Sequence, residues 1–205
     1  VSNSAVSTVT VWSTDPAALA AVKAHAAASP GRGGSTAGGP GTHRLPGWLG
    51  GLGKRLDRSR AATVERPFSL EAVVPTGMEL DAWDRDRALE LWGTSLPEKD
   101  SSLEHENEDR LVYELVTAYS QPTAVFRALS AAHPSVVLHA VTTCEGEFAA
   151  VGWYVRGEAV DEREAELDLT DEQWEEWDGE WDLPADWSFD VKRARQLATE
   201  GPTSG

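Results

Sequence analysis

Three features of the sequence predict an α+β protein. Residues 111–118, LVYELVTA, are rich in Leu, Val and Tyr and carry one charge, Glu114, the pattern of a strand buried on most of both faces. Directly after them, Val125, Phe126, Leu129 and Ala132 recur at helical spacing and form one apolar stripe. Val136–Val141 and Phe148–Val155 then flank the turn signal Glu145-Gly146, as an antiparallel pair would. Strand, helix and hairpin thus follow one another between Arg110 and Arg156, and the remaining elements are read around them.

Ser7–Trp12 alternates and is rich in β-branched residues, so it is predicted as the first strand. Ser13-Thr14-Asp15-Pro16 is a capping sequence with proline at the helix start. Ala17–Ala28 follows as a helix, with Leu19 and Val22 among small alanines on its apolar face. Residues 29–66 are glycine-rich and then basic, a flexible insertion that cannot build a core. Within it, Gly50-Gly51-Leu52-Gly53-Lys54 fails as a phosphate loop: Trp48 stands where the first glycine belongs, and Arg55 replaces Ser or Thr after the lysine.

Pro67–Val74 is predicted as the second strand, because Phe68, Leu70 and Ala72 alternate. Residues 75–109 are read as a helical insertion. Leu80, Trp83, Ala88, Leu89 and Trp92 are at roughly helical spacing, and Pro97–Asp109 is a polar, acidic connection. In the next helix Ser120 is the predicted N-cap, Pro122 lies in the first turn and His133-Pro134 stops it.

Beyond Gly157 the composition changes. Glu158–Asp190 holds 15 acidic residues and one basic residue, Arg163, yet it also holds Trp174, Trp177, Trp181 and Trp187. A disordered acidic tail is not expected to carry four tryptophans. Asp171–Asp178 is predicted as a short helix that places Trp174 and Trp177 on one face. The rings are expected to cover the sheet or to form a docking surface. Val191–Ala198, with Lys192, Arg193 and Arg195, is a predicted basic helix that folds back on the acidic run.

The expected organisation is one domain over residues 1–157 and an acidic, Trp-containing extension over 158–205. Without the helical insertion and the last strand the element order is βαββαβ, the ferredoxin-like split βαβ pattern of an antiparallel sheet with two packing helices. The residues also carry a resemblance. Ser2-Asn3-Ser4, Asp15-Pro16, Val74-Pro75, Leu91-Trp92-Gly93-Thr94, Ala118-Tyr119-Ser120-Gln121-Pro122 and His133-Pro134 are similar to motifs of the YubB/Api-like proteins of plasmids and phages. The resemblance covers residues 1–28 and 67–156. It implies a ferredoxin-like domain, bacterial or phage cytoplasm and a mobile-element accessory role, with no agreed biochemical activity. Ser95, Leu96, Tyr119 and Gln121 depart from that family's pattern.

Charge divides the chain. Its net charge is −16, but residues 1–66 carry 8 basic and 3 acidic residues against 10 and 31 in residues 67–205. The acidic bulk argues against direct nucleic-acid binding and favours a basic partner. No apolar stretch is long enough for a membrane span, and the N-terminal residues lack the pattern of a secretory signal. The lone Cys144 suits a reducing compartment.

No catalytic, metal or cofactor set is apparent. The five histidines are scattered, and no nucleophile elbow is present. Trp92, Gly93, Thr94, Tyr119, Ser120, Glu145 and Trp153 form the one small candidate recognition set, joined by Trp174, Trp177 and Trp181 of the acidic run. Two functions are therefore expected to compete. One is a non-enzymatic module that binds a basic or nucleic-acid-binding host protein through the acidic residues. The other is a small enzyme or ligand-binding domain that uses the Trp92/Tyr119/Glu145 neighbourhood.

Overall fold

In a computed structural model, residues 4–27, 66–144, 147–167 and 183–201 are described. They form an α+β protein with one six-stranded antiparallel sheet. The strands are β1 (Ser4–Trp12), β2 (Asp100–Glu106), β3 (Arg110–Ala118), β4 (Val137–Cys144), β5 (Phe148–Val155) and β6 (Glu158–Glu166). Their order across the sheet is β2-β3-β1-β4-β5-β6. The helices are α1 (Pro16–Ala26), α2 (Leu70–Val73), α3 (Arg85–Trp92), α4 (Thr123–Ala132) and α5 (Val191–Glu200).

Period-2 alternation gives the sheet two working faces. Val9 and Val11 of β1 stand opposite Tyr113 and Leu111 of β3, and opposite Ala140 and Leu138 of β4. This face packs against Leu19 and Val22 of α1, Leu70 of α2, Trp92 of α3, and Phe126 and Leu129 of α4. The other face carries Trp12, Val137, Trp153 and Val155 beneath Ala194 and Leu197 of α5, with Trp187 over Ala149 and Val151 beside them. β4 and β5 are covered on both faces, which is why their sequences read as nearly continuous apolar runs.

Two expectations need correction. Pro67–Val74 is not a strand: Leu70–Val73 is a single helical turn, and both of these residues are buried in the core at i, i+3. The alternating pattern was too short to separate the two periods. Glu98 holds this turn in place; its buried carboxylate accepts from the Leu70 amide at 3.0 Å and from Arg66 Nη1 at 3.0 Å. The second strand is instead Asp100–Glu106, inside the stretch read as an acidic connection. As an edge strand it needs little apolar content, and Leu103 is its one residue packed against the core. The helical insertion therefore ends at Ser95–Lys99 and lies within the β1–β2 crossover.

Within the expected extension, residues 158–166 form strand β6, paired along β5 from Phe148↔Glu166 to Val155↔Glu158. The predicted insertion over residues 29–66, apart from Arg66, and the helix over 171–178 lie outside the described residues. At α1 the expected cap is present: the Asp15 carboxylate accepts from the Ala17 amide, with Pro16 at the first turn. At α4 it is not. The N-cap position is Pro122, and the Ser120 hydroxyl bonds elsewhere.

Candidate functional site

The Trp92/Tyr119 corner is built where α3 ends against the end of β3. Gly93 takes the left-handed conformation, φ 81°, that closes α3. A Cβ there would lie 3.2 Å from the Gln121 carbonyl oxygen. Thr94 is fully buried, and its hydroxyl donates to the Ala118 carbonyl at 2.8 Å. The Ser120 hydroxyl donates to the Gly93 carbonyl at 2.6 Å. The Trp92 indole is fully buried, donates to Val74 O at 2.8 Å and meets the Trp83 ring at 5.4 Å. The polar atoms of Trp92, Thr94 and Ser120 thus close a joint between two elements. Tyr119 is the member that reaches solvent: it is 48% exposed, on a backbone with φ 62°.

Trp153 belongs to a different place. It is fully buried on the sheet face under the C-terminal segment, in a ring cluster with His139 and Phe189 at centroid distances of 4.4 and 5.7 Å. The Arg193 guanidinium lies over Trp153 at 5.1 Å and pairs with Asp161 at 2.8 Å. This joins α5 to β6, the fold-back expected of the basic helix. His139 is buried, and desolvation pushes its pKa down to about 4; a hydrogen bond to the Trp187 backbone pulls the other way, and the Arg193 charge depresses it further. Glu145, Trp174, Trp177 and Trp181 lie outside the described residues.

Three features had no sequence signal strong enough to find them. His25 and His133, 108 positions apart, meet at 2.9 Å between ring nitrogens, and burial together with the His25 charge lowers the pKa of His133. Among the described residues, no group of three His, Cys, Asp or Glu side chains is placed to hold a metal. β6 is an acidic sheet edge: Asp161 pairs with Arg163 and Arg193, and Glu162 with Arg127. Glu158, Glu164 and Glu166 form no ion pair among the described residues. A cleft of about 490 Å³ opens at the end of the sheet beside α5, with Arg156 and Arg195 among its lining residues.

These features define an α+β protein with an antiparallel sheet, acidic along one edge and basic in a cleft at one end. No family model matches the chain, and no curated protein matches it. Among solved structures, the crystal structure of a protein api92 from Yersinia pseudotuberculosis, of family model DUF1281, is similar at 17% identity with a TM-score of 0.36. That similarity covers 42% of this chain and 31% of that one, so the match spans less than a third of the api92 chain. Among the described residues no helix is long and apolar enough to cross a membrane.

Proposed function

We propose that the protein is a non-enzymatic binding module of a mobile element, built on a ferredoxin-like core, that holds a basic host protein through its acidic edge strand. The core reading is supported by the strand order: β1 and β2 flank β3, and β3 and β4 flank β1, the two split crossovers of βαββαβ with β5 and β6 added at one edge. The mobile-element reading rests on the short motifs shared with YubB/Api-like proteins.

One observation supports the binding role above the others. β6 is an edge strand whose outer backbone groups face no further strand among the described residues, and it carries Glu158, Asp161, Glu162, Glu164 and Glu166. Residues two apart on a strand are spaced by about 6.6 Å, so Glu162, Glu164 and Glu166 follow one another on one face, Glu162 paired with Arg127 and the other two without an ion pair among the described residues. Such a face suits a partner that ordinarily meets phosphates, that is, a basic nucleic-acid-binding protein. The Trp92–Thr94 joint supports no competing catalytic reading, because its polar groups are engaged with backbone carbonyls.

The test is capture from bacterial lysate on the full chain and on a Glu158→Gln, Glu164→Gln, Glu166→Gln variant. Truncation at Gly157 is the wrong comparison, since it removes a strand and uncovers Trp153. The expected result is a discrete basic DNA- or RNA-binding protein that elutes at moderate salt and is lost on the triple variant. Equal retention by both chains, or no such protein on either, would overturn the proposal.

A further inference from the structure

The cleft at the end of the sheet is lined by two arginines and no acidic residue, in a chain of net charge −16. It is formed by Trp12 at the end of β1 and Thr14 after it, Pro134 and Ser135 before β4, Arg156 in the β5–β6 turn, and Arg195, Ala198 and Thr199 of α5. Of the nine described arginines, Arg66, Arg87, Arg127, Arg163 and Arg193 each pair with a carboxylate. Arg156 and Arg195, like Arg85 and Arg110, make no ion pair among the described residues, and these two line the cleft.

Arg156 is also held there against the preference of its backbone. Val155 and Glu158 pair across a two-residue turn whose central residues, Arg156 and Gly157, have φ 54° and φ 89°. Both positions need positive φ, which favours Asn, Asp or Gly at the first and Gly at the second. An arginine in the left-handed region is strained, and such residues gather where the side chain has a task. The surroundings accommodate this one. Its Nη2 donates to the Ala198 carbonyl at 3.0 Å, which fixes the guanidinium against α5. At Gly201 a Cβ would come within 2.6 Å of Nη1, so a side chain there would have to displace the guanidinium.

We infer that this cleft binds the phosphate group of a small phosphoester. A guanidinium offers five donors, and Arg156 has one engaged with Ala198. A carboxylate is saturated by one such fork, whereas a phosphate presents three strong acceptor oxygens and a charge near −2, which two guanidiniums from separate elements can share. Ser135 and Thr14 add hydroxyls at the rim, and Trp12, Pro134 and Ala198 supply an apolar side for the organic part of the ester. The volume lies within the ordinary range for small-ligand sites.

Calorimetric titration of the full chain with inorganic phosphate, adenosine monophosphate, adenosine and acetate tests this. Saturable binding of phosphate and tighter binding of the nucleotide are expected, with none for adenosine or acetate. Arg156→Asn suits the turn, and Arg195→Gln lies on an exposed helix position. Each is expected to weaken nucleotide binding at least tenfold without lowering the midpoint of thermal unfolding. Absence of saturable phosphate or nucleotide binding, acetate binding as tight as phosphate, or unchanged affinity in both variants would overturn the inference.

Discussion

Acidification should unlatch the C-terminal segment through His139. The ring is 2% exposed, tilted against Trp153 with Phe189 beside it, and its pKa is about 4 against 6.5 for a free histidine. Because the folded value is depressed, the unfolded chain takes up a proton below about pH 6.5, while the folded protein refuses it until about pH 4. The stability contribution is therefore complete above the unfolded value and is lost as pH falls between the two. Integrated over that window, the loss from pH 7 to pH 5 is about 2 kcal/mol, rising to about 3 at the acid end. Urea denaturation at pH 7 and pH 5, on the wild type and on His139→Asn, measures it. Asparagine keeps a donor near the position of Nδ1 without a titrating ring. Other groups, His133 among them, titrate in both proteins and cancel in the difference. The wild type should lose about 2 kcal/mol more than the variant over this range. Parallel losses, or an NMR titration that places His139 above pH 6, would refute the reasoning. Since Arg195 is carried on α5, the same acidification should weaken any ligand in the Arg156/Arg195 cleft.

Two further outcomes separate structure from recognition at the α3–β3 corner. Thr94→Val leaves the Ala118 carbonyl without its buried donor and should cost about 1–2 kcal/mol in chemical denaturation, with the captured partner unchanged. Tyr119→Asn places a residue suited to φ 62° where an exposed tyrosine now stands, and should raise stability by up to about 1 kcal/mol, read as a higher unfolding midpoint. A loss of stability in the Tyr119 variant would mean that its ring makes a contact stronger than the backbone preference it opposes.

Elements with strong internal patterning were readable in the sequence. β1, β3, β4 and β5 carry the apolar alternation or apolar runs that burial demands, α1 and α4 carry apolar stripes, and the Asp15-Pro16 start of α1 is a local chemical signal. β2 and β6 were not readable as strands. Their residues, DSSLEHE and EAVDEREAE, hold few apolar side chains, because an edge strand is held largely by backbone hydrogen bonds to its neighbour, and those bonds do not depend on side-chain type. The Leu70–Val73 turn failed for a related reason: four residues are too few to tell a period of 2 from one of 3.6, and a carboxylate 28 positions away holds the turn.

By itself, then, the sequence determined the α+β class, the buried strands, the two main helices of the first face and the separation of basic from acidic charge. Local composition and short-range periodicity are sufficient for these. The tertiary structure alone decided which residues meet. It turned Trp92, Gly93, Thr94 and Ser120 into a closed joint, and it buried Trp153 against His139 and Phe189. It also brought Arg156 and Arg195 to one cleft from a turn and a helix 39 positions apart. Such meetings depend on strand order and on the packing of α5 across the sheet, and those contacts are set by which distant surfaces fit together rather than by any neighbouring residue.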